Sequence, residues 1–576
     1  MSDQKNMIMA AVLSFLVIIA WQMFFAPTPP EPLPEIAESI DDPSLPQPEG
    51  AHEIPVGRAL DREEALALST RIPVETPNLV GTISLRGGRI DDLTLTRHRE
   101  TVDPDSPPVT LFSPTRTAHP YYAVWGWVPA QGSQTGPTPA TDTPWDIETG
   151  DVLTPDTPVT LMWDNGEGLI FRQTVSVDAD FLFTIEQSVE NTTDETLTLA
   201  PWGIVARHGE PAELIGFWIL HEGAIASIDG RLNLQTYSNL RDLERDPLEG
   251  APADRMAAEN NGWLGFTDKY WLAALAGGAD QPFTGVFKTV ATSAGNIYQS
   301  DIRMPPVSVA AGETASAQTM LFAGAKDVSV LRRYERERGI ENLDYAVDWG
   351  WFFFLTRPIF SLLMVIHGVI GNMGWSIILL TVAIKTLLFP LAYKSFVSMS
   401  KMKQLQPEME KLKERCGDDK QKLQQEMIAL YRERKVNPAS GCLPILIQIP
   451  IFFSLYKVFF VTLELRHAPF FGWIVDLSEP DPTSILNLFG LLPWSVAGLP
   501  GFLQLFSIGV FPVLMGITMW MQQKLNPAPT DPTQAQIFAI MPFMFMFLLG
   551  SFASGLVLYW IANNVITFAQ QYSIMR

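Results

Sequence analysis

Polar and apolar positions change rhythm once along this chain, near Trp349. Before it, short apolar runs alternate with polar residues and are broken by Pro, Gly and Asp. Phe181, Phe183, Ile185 and Val189 show the period of two expected of a half-buried strand. Asp164-Asn165-Gly166-Glu167-Gly168 lies between two apolar runs and predicts a hairpin loop. The pattern from 56 to about 325 predicts a large antiparallel sandwich, followed by a short charged helix over 326–338. After Trp349 the apolar runs lengthen. Those at 374–393, 442–463, 507–523, 537–551 and 555–572 approach the ~20 residues that cross a ~30 Å hydrocarbon layer. The last two are separated only by Ser551 to Ser554, which predicts a tight turn. Met7 to Phe25 is a further such run. Phe24 is bulky where a cleavage site wants a small residue and Pro27 follows directly, so it reads as a retained anchor. Trp351 to Ile366, interrupted by Arg357-Pro358, reads as an amphipathic helix at the headgroup boundary or as the early start of the next span.

These runs divide the chain into an N-terminal transmembrane anchor over 1–27, a linker over 28–55, a β domain over 56–345, an interfacial helix over 346–373 and a helical core over 374–576. The stretch from Ala26 to Pro55 holds nine prolines and little apolar material, which suits an extended tether without a core. The expected fold class is a polytopic α-helical membrane protein of six transmembrane helices with a large all-β domain. A helical hairpin over 394–440, turning at Cys416-Gly417-Asp418, joins two of the spans.

Charge sets the expected orientation. The net charge is -22, yet residues 394–435 carry 11 Lys+Arg against 7 Asp+Glu. This is the one short loop rich in cations, so it belongs on the cytoplasmic side. Counting spans from it puts the acidic β domain in the periplasm of a bacterium and both termini in the cytoplasm. An acidic domain repels nucleic acid, so no direct nucleic-acid partner is expected. The only cysteines, Cys416 and Cys442, lie outside the β domain, which must therefore stand on its own core.

One cation stands out among the apolar runs. Lys385 lies inside 374–393, and a charge there costs about 3 kcal/mol on insertion scales. At ~1.5 Å per residue it lies roughly 13 Å from Lys394, the expected membrane edge, further than its stem reaches. Such a charge faces a wet cavity or a partner. Thr381 shares its helix face. Tyr559, Asn563, Thr567 and Gln571 form a polar stripe on the last run, Thr518 and Gln522 a shorter one, and Gln448 and Tyr456 another. Polar stripes on several helices can line a hydrated groove, or can bond one helix to the next, because both uses need the same residue types. Lys457, nearer the outer side, is expected to snorkel. In the hairpin, Met399, Met402, Met409 and Met427 supply adaptable apolar surface for docking, or the pair is simply solvated.

Catalytic patterns are thin. There is no H-E-x-x-H, no G-x-S-x-G and no phosphate loop. Ser376 and Lys385, nine residues apart on a helix, fall on opposite faces, against a Ser/Lys protease. No nucleotide, metal or other cofactor is expected, and the chain is not expected to be an enzyme. A channel or transporter using Lys385 as an ion site stays open, as does an anchored sugar-processing enzyme.

The run Gly417 to Met427, then Lys435-Val436-Asn437-Pro438, Gly441-Cys442-Leu443-Pro444, Gln448-Ile449-Pro450, Glu464 to Phe470 and Ser554 to Tyr559 resembles the bacterial YidC/Oxa insertase family, covering most of 345–576. The β domain resembles that of its Gram-negative type, which implies a β-supersandwich similar to sugar mutarotases, without sugar chemistry. The resemblance implies a chaperone and insertase that places nascent membrane proteins in the inner-membrane bilayer, alone or with the Sec translocon (SecYEG, SecDF), with ribosome contact through cytoplasmic loops. It implies a groove carrying one cation, here Lys385 where most such members carry arginine. Tyr559-Trp560 stands where the family pairs two tyrosines. About twenty residues near 486–506 look inserted, and no basic tail follows Arg576.

Overall fold

The computed structural model describes Pro46, Pro48 and residues 59–575, except 131–132, 134, 213, 217–219, 418, 435, 437–442, 493, 495, 497–505 and 527–531. The expected anchor over 1–27, nearly all of the linker over 28–55 and part of the expected insertion near 486–506 lie outside the described residues.

Among the described residues, the first half forms two antiparallel sheets, one of 11 strands and one of nine. The first runs from Arg71–Glu75 through Leu79–Ser84, Arg89–Arg99, Tyr121–Pro129, Leu197–His208, Gly295–Arg303 and Phe283–Thr292 to Ala251–Ala258 and Arg245–Asp246. The second begins at Arg231–Thr236 and Gly223–Ile228. It continues through Gly262–Thr267, Trp271–Ala276, Thr314–Ala325, Leu182–Asn191, Leu169–Val177 and Val159–Asp164 to Asp146–Thr149. Within Leu182–Asn191, Phe183, Ile185 and Val189 are buried while Thr184, Glu186 and Ser188 are not. The hairpin loop at 164–168 joins Val159–Asp164 to Leu169–Val177. Asp164 Oδ1 accepts the Gly166 N–H at 2.8 Å, and Gly166 takes a φ of 73°, which a side chain would oppose.

Three polar ties cross the apolar interior between the sheets. Trp125 Nε1 donates to Thr319 Oγ1 at 3.1 Å, Gln187 Nε2 to the Gly126 carbonyl at 2.8 Å, and Gln173 Nε2 to the Gly88 carbonyl at 3.0 Å. Each satisfies a buried donor, which would otherwise cost about 1–3 kcal/mol.

Short helices α1 (Arg62–Leu66) and α2 (Tyr237–Arg241) belong to this half. Helix α3 (Val328–Arg338) leaves it, capped by Asp327 Oδ1 on the Ser329 and Val330 N–H groups and ended by Gly339 at a φ of 68°. Then follow α4 (Phe353–Ile370), α5 (Met373–Leu387), α6 (Phe389–Cys416), α7 (Lys420–Glu433), α8 (Leu443–Val461), α9 (Val510–Gln523), α10 (Pro532–Leu548) and α11 (Ser554–Met575). Helix α4 differs from the amphipathic expectation. Thr356, Ile359, Phe360 and Leu363 face inward, but the outward Leu362, Val365 and Val369 are apolar too. Its one cation, Arg357, turns under the helix to Asp344 at 2.8 Å. Helix α4 is long and apolar enough to cross a membrane.

The two halves share one apolar cluster, continuous from Trp263 through Leu343, Val347 and Trp349 to Phe360 and Leu455. Polar contacts reinforce it. Arg466 Nη2 donates to the Arg99 carbonyl at 2.6 Å, and the Val328 N–H reaches Glu464 Oε1 at 3.4 Å. Lys457 does not snorkel as expected: its ammonium pairs with Asp348 at 2.6 Å.

Glu464 is nearly enclosed at this junction. Its Oε2 has no hydrogen-bond partner among the described residues, and burial pushes the carboxyl up to about 7. An unfolded glutamate titrates near ~4.3, so the stability this group supplies is full below that pH and is lost as pH rises toward 7. Glu464→Gln should remove this dependence. The wild-type melting temperature is expected to fall relative to E464Q between about pH 5 and about pH 8. Parallel pH profiles would contradict the assignment.

Candidate functional site

Lys385 occupies the last turn of α5. The expected span runs on to Tyr393, but the chain bends by 68° between α5 and α6, with the break at Leu388. Pro390 accounts for the bend. Its ring clashes with the carbonyl four residues earlier and it offers no N–H, whereas it fits the first turn of a new helix. The ~13 Å depth inferred from an unbroken helix therefore does not hold. Lys385 sits within one turn of a bend, half-buried. Among the described residues it has no hydrogen-bond or salt-bridge partner. Thr381 is fully buried and its hydroxyl donates back to the Ile377 carbonyl at 2.7 Å, which occupies it within its own helix.

Helix α11 packs beside α5. Both begin at the same end: a Cβ on Gly555 would lie 3.3 Å from Ile377 Cδ1. At ~1.5 Å per residue, equal steps from this contact bring Lys385 level with Asn563, about 12 Å along. Asn563 is buried and its Oδ1 has no partner among the described residues. A half-buried cation and an unoccupied buried acceptor thus share one level of neighbouring helices.

The rest of the expected stripes largely bond helix to helix. Tyr559, Asn563, Thr567 and Gln571 are all buried. Gln448 Nε2 donates to the Tyr559 hydroxyl at 2.5 Å, tying α8 to α11. Asn564 Nδ2 donates to Thr518 Oγ1 at 3.3 Å, tying α11 to α9, and Gln571 Nε2 to Asn526 Oδ1 at 2.9 Å. Thr567 Oγ1 donates to the Asn563 carbonyl at 2.6 Å. Gln522 is half-buried, and Tyr456 packs on Phe460 and Phe552. Trp560 stacks at a tilt on Phe452 with ring centres 4.6 Å apart. Sequence spacing missed Asn564 and Asn526; only their partners' positions in space reveal them.

Helices α6 and α7 pack on each other. Leu405, Met409 and Val436 form a small cluster with Met402, Met427, Leu430 and Tyr431 against it. Met409 is buried between the two helices and Met402 and Met427 are half-buried against it, so part of their surface zips the pair; Met399 is half-buried outside this cluster. Arg434 Nη2 closes the pair on Glu408 at 2.8 Å.

A cleft of about 750 Å³ lies where the sandwich meets α4 and α8. Leu232, Leu234 and Ile225 line one wall; Trp351, Phe352 and Phe453 line the other. Its carboxylates are engaged. Glu222 accepts the Ile215 N–H at 3.0 Å, and Asp348 holds Lys457 and the His221 N–H. Nothing local in the sequence announced this cleft, because its walls lie more than a hundred residues apart.

Two family models match this chain. One, described as the YidC periplasmic domain, covers residues 71–362; the other, described as the 60Kd inner membrane protein, covers 365–576. A relative from Dinoroseobacter shibae is 55% identical over 587 residues, spanning 100% of this chain and 96% of the relative. One from Paracoccus denitrificans is 51% identical, spanning 100% and 94%. Both carry the name membrane protein insertase YidC. Among solved structures, an active YidC insertase with its first transmembrane domain resolved is 18% identical, with a TM-score of 0.36, over 87% of this chain and 92% of that one. A galactose mutarotase related enzyme from Lactobacillus acidophilus is 13% identical, with a TM-score of 0.28, over 44% and 97%. The sequence relatives carry the assignment.

The tie between α8 and α11 has a measurable energy. Tyr559→Phe deletes one hydroxyl and should cost about 1 kcal/mol. In a double-mutant cycle with Gln448→Leu, unfolding of the detergent-solubilised protein should show a coupling near that value. Additive losses would show that the two side chains do not interact.

Proposed function

This chain belongs to the YidC family of membrane protein insertases of the bacterial inner membrane, and we propose that it inserts its clients by way of the lone cation Lys385. A client with a short acidic tail approaches from the side of α6 and α7, the expected cytoplasmic side. Lys385 attracts its carboxylate, and separation of α5 from α11 would expose the buried Asn563 acceptor, level with it, to the client's backbone. These contacts reduce the cost of taking polar residues partway into the bilayer. The client's apolar segment then leaves sideways into lipid, driven by transfer out of water. The step breaks no covalent bond and requires no cofactor.

The observation that carries this reading is the half-buried ammonium without a partner. The bonded stripes support it by contrast. Gln448, Tyr559, Asn564, Thr518 and Gln571 hold the helices together and Thr567 bonds within its own helix, which leaves Lys385 and the half-buried Gln522 as the expected groove residues open to a client. The groove is thus narrower in its polar lining than the stripes alone suggest. The apolar runs give six spans, and the cationic block at 394–435 orients them with both termini and α6–α7 in the cytoplasm. That block would also serve contact with the ribosome, and the β domain faces the periplasm, where cooperation with the Sec translocon would place it.

At an effective dielectric near 20 and a separation of ~8 Å, the attraction is worth about 2 kcal/mol, roughly a thirtyfold bias. Lys385→Ala should therefore reduce insertion of an acidic-tailed client into inverted membrane vesicles by about tenfold or more, while Lys385→Arg retains most of it. Equal insertion by wild type and K385A, at matched protein levels, would refute the cation's role.

A further inference from the structure

Among the described residues, the sandwich carries one edge that is open, apolar and next to the cleft. Arg231–Thr236 ends its sheet, paired on one side only with Gly223–Ile228. The two strands are joined by Asp229-Gly230, both in the left-handed region with φ of 46° and 78°. A two-residue loop of this type makes the flanking pair, Ile228 and Arg231, exchange both hydrogen bonds. Alternation then turns the N–H and C=O groups of Leu232 and Leu234 toward the free edge, while Thr236 caps the helix that follows. Edges are normally blunted by lysine, proline, a bulge or a covering segment. Here the only charge is Arg231 at the loop, and Leu232 and Leu234 are 45% and 41% exposed. Their side chains line the cleft whose far wall is Trp351, Phe352 and Phe453.

We propose that this edge and cleft take up an extended apolar segment of a client on the outer side of the membrane, by strand addition to Arg231–Thr236. The proposal rests on the insertase reading above and names the translocated part of the client as a second bound segment. An open edge needs donors and acceptors at strand spacing, and alternate side chains of the added strand fall into the cleft. A lipid tail fills an apolar cleft but offers nothing to the edge. The charges nearby are already paired, Lys457 with Asp348 and Arg241 with Glu210, so they leave selection to apolar side chains. The cleft includes Phe453 and Lys457 of α8, so a segment emerging beside α8 meets it directly.

The test uses the full chain in phospholipid nanodiscs and a fluorescein-labelled peptide of about ten residues alternating valine and threonine. Fluorescence anisotropy should show saturable binding. Leu234→Pro removes an outward N–H and no ladder bond, and should weaken binding about tenfold, as should N-methylation of alternate peptide residues. Leu232→Lys supplies a second variant should L234P lower the melting temperature. Both variants should insert a short acidic-tailed client normally, since that step reads Lys385. Absence of saturable binding overturns the proposal. So does equal binding by wild type, L234P and L232K, or undiminished binding of the N-methylated peptide, which would mark mere partition into an apolar cleft or lipid. Insertion unchanged by Lys385→Ala, with peptide binding intact, would instead refute the cation mechanism and leave the edge as a peptide site.

Discussion

A polar group inside a membrane must find a partner or remain a liability, and this constraint organises the helical half. Gln448 finds Tyr559, Asn564 finds Thr518 and Gln571 finds Asn526, each on another element. These bonds convert polar stripes, which could have been walls of a channel, into seams between helices. Against that background Lys385 is the exception. It is a lysine in the last turn of α5, without a partner among the described residues, level with an unpaired acceptor on Asn563. A structural lysine would be paired as Lys457 is paired with Asp348.

The β sandwich is fused to this arrangement rather than tethered to it. One apolar cluster runs through the junction, and Arg466, Lys457, Arg357 and Glu464 each reach across it or brace it. The consequence is geometric. The cleft has one wall on the sandwich and one on α4 and α8, so its shape is set by the junction itself.

Local pattern made much of this legible. Alternation at Phe183, Ile185 and Val189 and the loop at Asp164 to Gly168 name a strand and a hairpin because both are fixed by neighbours in sequence. The apolar runs lie close to the observed α8, α9 and α11 for the same reason. The errors share a different origin. Pro390 reads equally well as a tolerated kink or a helix break, and only packing on both sides decides for a 68° bend. The methionines of α6 and α7 read as open surface until the two helices are paired. Lys457 reads as a snorkelling residue until Asp348, far away in sequence, is brought to it. The family resemblance identified Lys385 and Tyr559 together. It did not distinguish the residue without a partner among the described residues from the residue that binds its neighbouring helix.

Site-specific photocrosslinking to a ribosome-bound nascent client tests the cation's role most directly, with Lys385 retained and the probe at the half-buried Leu388, one turn on, and at the exposed Val369 of α4 as a control. Adducts at 388 are expected to depend on an acidic residue in the client tail and to be lost in Lys385→Ala, with few at 369. Adducts at 369 alone, or adducts at 388 indifferent to the client's charge and to Lys385→Ala, would mean that the cation is not what receives the client.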